Sequence, residues 1–286
     1  MSTYLPHPGA TPKCPHCDQR GFVIRPIGER AEAQACECVK TCPKCRDTGW
    51  VSTTDDLRGP KGRCDCQHVQ RRMRLYAAAN IPARHYNSRL ANFEIDGPLQ
   101  MMAVQAGMDF LTRFRPGEPT RGLVFHGNVG RGKTHLLCAL VGELILEHGV
   151  SARFVEFSHL VADLKVAFER KSGAADVLEQ LVGVDVLAID ELGKGRNTEF
   201  EGTVVDEVVS RRYNANTPLL GTTNYTPGVA SGFANANLAR PQATAPMLSD
   251  RLGERVYSRI KEMCDFVPVK GEDFRQRSTR AARRPR

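Results

Sequence analysis

The sequence predicts an α/β protein: a parallel sheet flanked by helices, with a small cysteine-rich module in front of it. Three observations predict this. From about residue 120 short apolar runs alternate with stretches of helical periodicity, as in strands joined by crossover helices. One of these strand-to-helix junctions is glycine-rich, Gly127-Asn-Val-Gly-Arg-Gly-Lys-Thr134. Eight of the ten cysteines fall between residues 14 and 66, in a pattern that recurs after 28 residues.

The cysteines come first along the chain. Cys14-Pro-His-Cys17 is followed after eighteen residues by Cys36-Glu-Cys38; Cys42-Pro-Lys-Cys45 is followed after eighteen by Cys64-Asp-Cys66. Gly21, Phe22 and Val23 recur as Gly49, Trp50 and Val51, so a small unit has been duplicated. A Cys-x-x-Cys turn puts two thiolates on one ion, and a distant Cys-x-Cys completes a tetrahedral set of four. Two structural zinc sites, 14/17/36/38 and 42/45/64/66, are the expectation, with a cross-braced pairing left open. Each half has few apolar residues, so metal binding, worth about 10–16 kcal/mol per site, would largely determine its folding. His16 and His68 sit beside ligands but are not needed as donors. Cys138 and Cys264 lie in apolar surroundings and read as core residues.

Residues 1–68 are therefore expected to form a tandem zinc module, with a linker over 69–96. Within that linker 70–80 reads as a basic helix carrying Arg71, Arg72 and Arg74, and Pro82 makes 81–86 a connector. The main domain is expected over 97–270. It opens with a helix over 99–114, whose apolar spacing is carried by Met102, Val104, Met108 and Leu111.

The apolar run Leu123-Val-Phe125 then leads into the glycine-rich junction and a helix over 133–148. Glycines 127, 130 and 132 let successive N–H groups turn inward on one anion, and the following helix aims its positive end at the same point. Residues 127–135, with Asn128, Val129, Arg131 and His135 among them, are the expected nucleotide cradle. Lys133 reaches the terminal phosphates and the Thr134 hydroxyl holds magnesium.

Strands are expected over 153–157, 185–190, 217–223 and 264–269, and helices over 158–170, 175–182, 200–214 and 247–261. The strand over 185–190 ends in Asp190 and Glu191. Neighbouring strand residues point to opposite sides. Asp190 therefore suits the magnesium shell opposite Thr134, and Glu191 suits polarising the water that attacks the terminal phosphate. ATP hydrolysis is the reading these segments share. Residues 226–246, rich in Ala, Gly, Asn, Thr and Pro, read as a mobile loop.

The formal net charge is +8, but the last twelve residues carry six arginines and no acid, which leaves +2 on the rest. Eight thiolates with two zinc ions would bring that remainder to about −2. The basic character thus belongs to a tail expected to be disordered. Neither a signal peptide nor a run of membrane-spanning length is present, so no membrane partner and a cytoplasmic location are expected.

Together these segments resemble the AAA+ ATPases of the DnaC/DnaI helicase-loader and IstB transposition-helper group. The likeness covers about residues 80–277 and is carried by Gly127-Asn-Val-Gly-Arg-Gly-Lys-Thr-His-Leu136, Ala188-Ile-Asp-Glu-Leu-Gly193, Gly221-Thr-Thr-Asn-Tyr225, Leu252-Gly-Glu-Arg-Val-Tyr-Ser-Arg-Ile260 and Gly271-Glu-Asp-Phe-Arg275. It implies an AAA+ parallel sheet without a helical lid, since only about seventeen residues follow Val269. Asn224 is implied as a sensor of the attacking water. Arg259 is implied as a finger donated to a neighbouring subunit, with Arg255 as the competing candidate. Arg275, in the 271–286 sensor segment and tail, is implied as a phosphate contact. The implied function is loading of a replicative helicase, with the zinc module gripping the helicase and self-associated ATPase domains engaging single-stranded DNA. A transposition helper delivering target DNA, and a zinc-dependent nucleic-acid adaptor using ATP as a switch, are the alternatives. The doubled zinc module is no general feature of the group.

Overall fold

The computed structural model describes residues 6–54, 59–170, 173–196, 198–228 and 247–274. They divide into two compact units. One runs to Asn87 and includes Gly142–Ser151; the other holds Ser88–Val141 and the residues from Ala152 onward.

The first unit is built on two hairpins that the sequence did not announce. β1 (Phe22–Ile27) pairs antiparallel with β2 (Arg30–Ala35), and β3 (Trp50–Ser52) with β4 (Lys61–Arg63). Their duplication extends to backbone conformation. Asp18 and Arg46, Gln19 and Asp47, and Gly21 and Gly49 all take positive φ at equivalent turn positions. The same hydrogen bonds close both turns: Asp18 N–H to Cys14 O at 2.9 Å answers Arg46 N–H to Cys42 O at 2.8 Å. Helix α1 (Cys66–Ala78) begins four residues earlier than its basic face predicts, at the last cysteine of the two clusters. It buries Val69 and Tyr76 and leaves Arg71 and Arg74 outward.

In the second unit β5 (Gly122–His126), β6 (Ala152–Glu156), β7 (Val186–Asp190), β8 (Leu219–Thr223) and β9 (Cys264–Pro268) form one sheet in the order β6-β7-β8-β5-β9, parallel throughout. Every residue of β7 and β8 is buried, as expected of central strands with both faces covered. The covering helices are α2 (Pro98–Arg113), α3 (Lys133–Glu143), α4 (Phe157–Glu169), α5 (Ala174–Val182), α6 (Glu199–Asn214), α7 (Leu248–Leu252) and α8 (Glu254–Met263). Local chemistry sets their ends. Pro98 takes the first position of α2 after Gly97, and the Thr198 hydroxyl accepts from Glu201 N–H at the start of α6. Asp190 ends its strand at the same sheet edge as the glycine loop because β8 lies between β7 and β5, with all three strand tips pointing one way.

Three expectations need correction. The helix over 133–148 keeps α geometry only to Glu143, continues as a π turn through Leu144–His148 and stops at Gly149 in the left-handed region. The helix over 247–261 is two helices, α7 and α8, because Gly253 at φ +78 breaks the chain direction. The helix read from Met102, Val104, Met108 and Leu111 is present as α2, but of these only Val104 and Leu111 are buried, beside Ala103, Gly107 and Phe110, while Met102 and Met108 are exposed. Of the expected mobile loop over 226–246, residues 229–246 lie outside the described set.

Arg212 on α6 is fully buried and its guanidinium donates to five carbonyls. Nη1 reaches Leu181, Val182 and Val184, and Nη2 reaches Asp185 and Pro218, at 2.8–3.2 Å. These oxygens belong to the C-terminal end of α5 and to the approaches to β7 and β8, so one cation aligns the two central strands. Burial lowers its pKa to about 10, so it stays charged near neutrality. Arg212→Met leaves all five oxygens without that donor. It is expected to cost about 3 kcal/mol or more, read from the urea midpoint of the full chain; a loss below about 1 kcal/mol would deny the arginine this aligning role.

Candidate nucleotide-binding site

The loop after β5 curls through Gly127, Gly130 and Gly132, all at positive φ. At Gly132 the requirement is doubled, since a Cβ there would also stand 2.5 Å from the Phe93 ring. Lys133 is buried and its ammonium donates to the Gly127 and Asn128 carbonyls at 2.7 and 2.8 Å, which holds it inside the curl of the loop. The neighbouring Thr134 hydroxyl lies 3.1 Å from both oxygens of Asp190.

Asp190 is the centre of the site. Its Oδ1 also accepts from Thr222 Oγ1 at 2.6 Å, so the tip of β7, the start of α3 and β8 meet on one carboxylate. Burial pushes its pKa up, and the Thr222 and Thr134 hydroxyls act against that by stabilising the ionised form. A hydroxyl and a carboxylate at this spacing are hard oxygen donors of the kind magnesium takes.

The next residue turns sharply away. Glu191 has φ +58, an uncommon left-handed conformation for a non-glycine residue. The turn is held from β8: Glu191 N–H donates to Thr222 Oγ1 at 2.9 Å, Leu192 N–H to Thr222 O at 2.7 Å, and Thr223 Oγ1 to Leu192 O at 2.9 Å. Asp190 and Glu191 are thereby separated into one buried carboxylate and one partly exposed carboxylate that pairs with Lys194. Lys194 also lies 3.4 Å from Glu156 at the tip of β6, and Glu156 is directly opposite Asp190 in the sheet. Asn224 follows the last residue of β8 and is exposed, between the glycine loop and the acidic pair in the strand order.

Sequence reasoning missed the aromatic flank of the loop. Phe93 packs edge-on against both His135 and Phe274, with ring centroids at 5.4 and 6.0 Å, and Phe274 N–H donates to Gly130 O at 3.0 Å. His135 is fixed further by its Nε2 contact with Arg89 O at 3.0 Å, and burial lowers its pKa. His135 and the Gly271–Phe274 segment had a signal, through their places in motifs; Phe93 had none.

The family model for IstB-like ATP binding protein matches residues 65–282. The chain belongs to that family. Among relatives, the replicative helicase loader DnaC of Escherichia coli (strain K12) is 28% identical over 190 residues, covering 66% of this chain and 69% of the relative. An uncharacterized Bacillus subtilis (strain 168) protein, YqaM, is 25% identical over 233 residues, covering 72% of each. Of the solved structures, the DnaC helicase loader superposes with a TM-score of 0.56 at 28% identity, over 65% of this chain and 99% of that one. The chain is thus an ATP-binding AAA+ protein, and the loop–Asp190 junction has the donors that could hold a nucleotide and its metal.

The remaining residues singled out in the sequence fall elsewhere. Arg259 on α8 donates to Asp206 Oδ1 on α6 at 2.8 Å, bonds the Ser210 hydroxyl and lies over the Tyr213 ring. Arg255, one turn earlier, is 3.7 Å from the same Asp206 oxygen and is 72% exposed against 22% for Arg259. Arg275 lies outside the described residues.

The family match begins at residue 65, so the cysteine clusters lie almost wholly ahead of it. Cys14, Cys17, Cys36 and Cys38 gather their sulfurs within 4.8 Å of one another, as do Cys42, Cys45, Cys64 and Cys66. The sulfurs are thus grouped by repeat and not cross-braced. The shortest separations are 3.5–3.8 Å. A tetrahedron with metal–sulfur bonds of about 2.3 Å has edges of about 3.8 Å, so each set fits one zinc ion. Cys45 Sγ also accepts from Gly49 N–H at 3.4 Å, as a metal-bound thiolate would. His16 and His68 are exposed and outside both clusters, and Cys138 and Cys264 are buried in the core.

The Thr222 hydroxyl favours the ionised form of Asp190, the form that can hold a cation. In Thr222→Val the carboxyl should therefore protonate at higher pH. Magnesium-dependent nucleotide affinity is expected to fall away earlier on acidification, as followed with a fluorescent ATP analogue. An unchanged acid limb would show that the hydroxyl does not tune the site.

Proposed function

We propose that this protein hydrolyses ATP to load a replicative helicase onto DNA. The observation that carries the reading is the meeting of Thr134 with Asp190 in a chain whose DnaC relative aligns over two-thirds of its length. Lys133 would exchange its loop carbonyls for phosphate oxygens, and the loop amides would hold the rest of the triphosphate. Thr134 and Asp190 would hold magnesium, which neutralises charge on the phosphates when bound. Glu191, directed away from Asp190, takes the proton of the attacking water, and Asn224 at the β8 tip orients that water. Arg275 adds a phosphate contact from the chain's last segment.

Residues 1–68 serve as the helicase-binding module and 97–270 as the motor, joined by 69–96, with the basic tail beyond 271. The motors self-associate and engage single-stranded DNA, and a cytoplasmic location follows. Arg259 completes the neighbour's site, leaving Asp206 to do so, and Arg255, which also faces Asp206, is the competing candidate.

Two experiments test this. Full-length protein should capture the replicative helicase of its source and, with ATP, transfer it to single-stranded DNA circles, and Glu191→Gln should abolish that transfer. Capture of a transposase in its place would support the transposition-helper reading that the family description also admits. DNA binding that is indifferent to ATP hydrolysis would support the adaptor reading. Second, Glu191→Gln and Arg259→Ala subunits should each lose about 10³-fold in ATPase rate. Mixing them should recover activity, because an intact carboxylate then meets an intact arginine across an interface. No recovery, or recovery only with Arg255→Ala in place of Arg259→Ala, would remove Arg259 from the role.

A further inference from the structure

The two halves of the zinc module share a backbone, and they differ on one face. In β1 and β2 that face carries Phe22, Ile24, Ala33 and Ala35; the positions 28 residues later are Trp50, Ser52, Lys61 and Arg63. The strand pairing is the same in both, Phe22 opposite Ala35 and Trp50 opposite Arg63. In the first half Phe22 is buried, Ile24 and Ala33 are half-buried, and Ala35 is exposed. Phe22 is 2% exposed, and the hairpin is tied to the following connector through Ala31 N–H to Ile81 O and Ala83 N–H to Glu29 O, both 2.8 Å. In the second half Val51 packs on the cysteine cluster, so its neighbours Trp50 and Ser52 point the other way. Trp50 is 52% exposed, and Ser52, Lys61 and Arg63 are exposed around it.

An exposed tryptophan is costly to solvate, and the residues paired with this one across the hairpin are polar. Its cross-strand and diagonal neighbours are Arg63 and Lys61. A protein-docking patch places an apolar centre inside a polar rim; here a single ring stands among cations. Of the described acids of this half, Asp65 pairs with Lys44 and Asp47 accepts from Cys42 N–H at 2.8 Å. Among the described residues neither Lys61 nor Arg63 has an acidic partner.

We infer that the β3–β4 face is a binding site for single-stranded nucleic acid: a base stacks on Trp50 while Arg63 and Lys61 take the flanking phosphates. A flat π surface beside positive charge suits an unpaired base and its backbone, and tolerates any sequence. The first hairpin, its aromatic buried, lacks that capacity. The inference is independent of the ATPase and loader readings.

Trp50 is the only tryptophan of the chain, so its emission reports on this face alone. Full-length, zinc-loaded protein without nucleotide is titrated with oligo(dT). Saturable quenching of Trp50, weakening as salt rises, is expected. By anisotropy of a labelled oligonucleotide, Trp50→Ala should lose about 5- to 100-fold in affinity, with most of it restored in Trp50→Phe, and Arg63→Glu should also weaken binding. Zinc content of two per chain confirms that each variant keeps its fold, and Arg63→Glu serves alone if Trp50→Ala loses metal. The inference is overturned if the oligonucleotide fails to bind, or if it binds with Trp50 emission unchanged and equal affinity in the variants. A response of Trp50 to a replicative helicase and not to oligo(dT) would also overturn it, and would make the face a protein dock.

Discussion

A carboxylate buried at a strand tip survives ionised only if hydroxyls or cations surround it, and Asp190 is supplied with hydroxyls from two sides. That requirement organises the second unit. Thr222 must stand at the end of β8, β8 must lie between β7 and β5, and α3 must begin where Thr134 faces the acid. Arg212 works at the opposite ends of the same strands, fixing where β7 and β8 start. The strand tips are thus set by a cation below and a carboxylate above. Glu191 then takes a left-handed backbone because Thr222 and Thr223 hold its turn, and the strain is absorbed by the sheet.

The first unit follows a different logic. Its hairpins have little core of their own, and the sulfurs of each repeat come within a few ångströms of one another. Where a hydrophobic core would leave few positions free to change, a unit centred on clustered cysteines that could hold metal leaves its outward strand faces open to substitution. The contrast between Phe22 and Trp50 shows the result. One scaffold, copied, keeps the turn and the cysteines while its surface diverges.

Much of this was legible in the sequence because order and spacing carried it. The alternation of apolar runs and helical stretches placed all five parallel strands within about two residues, and the loop motif followed by an acidic strand tip foretold that Thr134 and Asp190 would be neighbours. What escaped was set by tertiary contacts. Thr222 reads as an ordinary β-branched strand residue, and only strand order reveals that its hydroxyl meets Asp190. The β2 segment, Arg-Ala-Glu-Ala-Gln-Ala, has weak strand character and pairs because the cysteines on either side bring it back. Gly253 sits within an amphipathic pattern, and periodicity could not show that the helix breaks there. Phe93 joins the loop from a segment thirty-odd residues upstream, a distance over which no local pattern speaks.

The ion pair on α6 has an implication for how subunits would meet. Arg255 and Arg259 both face the one carboxylate of Asp206, at 3.7 and 2.8 Å. Withdrawing either guanidinium toward another molecule leaves the acid still opposed by its understudy, so α6 is never stranded with a lone negative charge. Under the proposed sharing of a site between subunits, handing an arginine across the boundary would become a relay between two donors, and the helix surface left behind would keep its electrical balance.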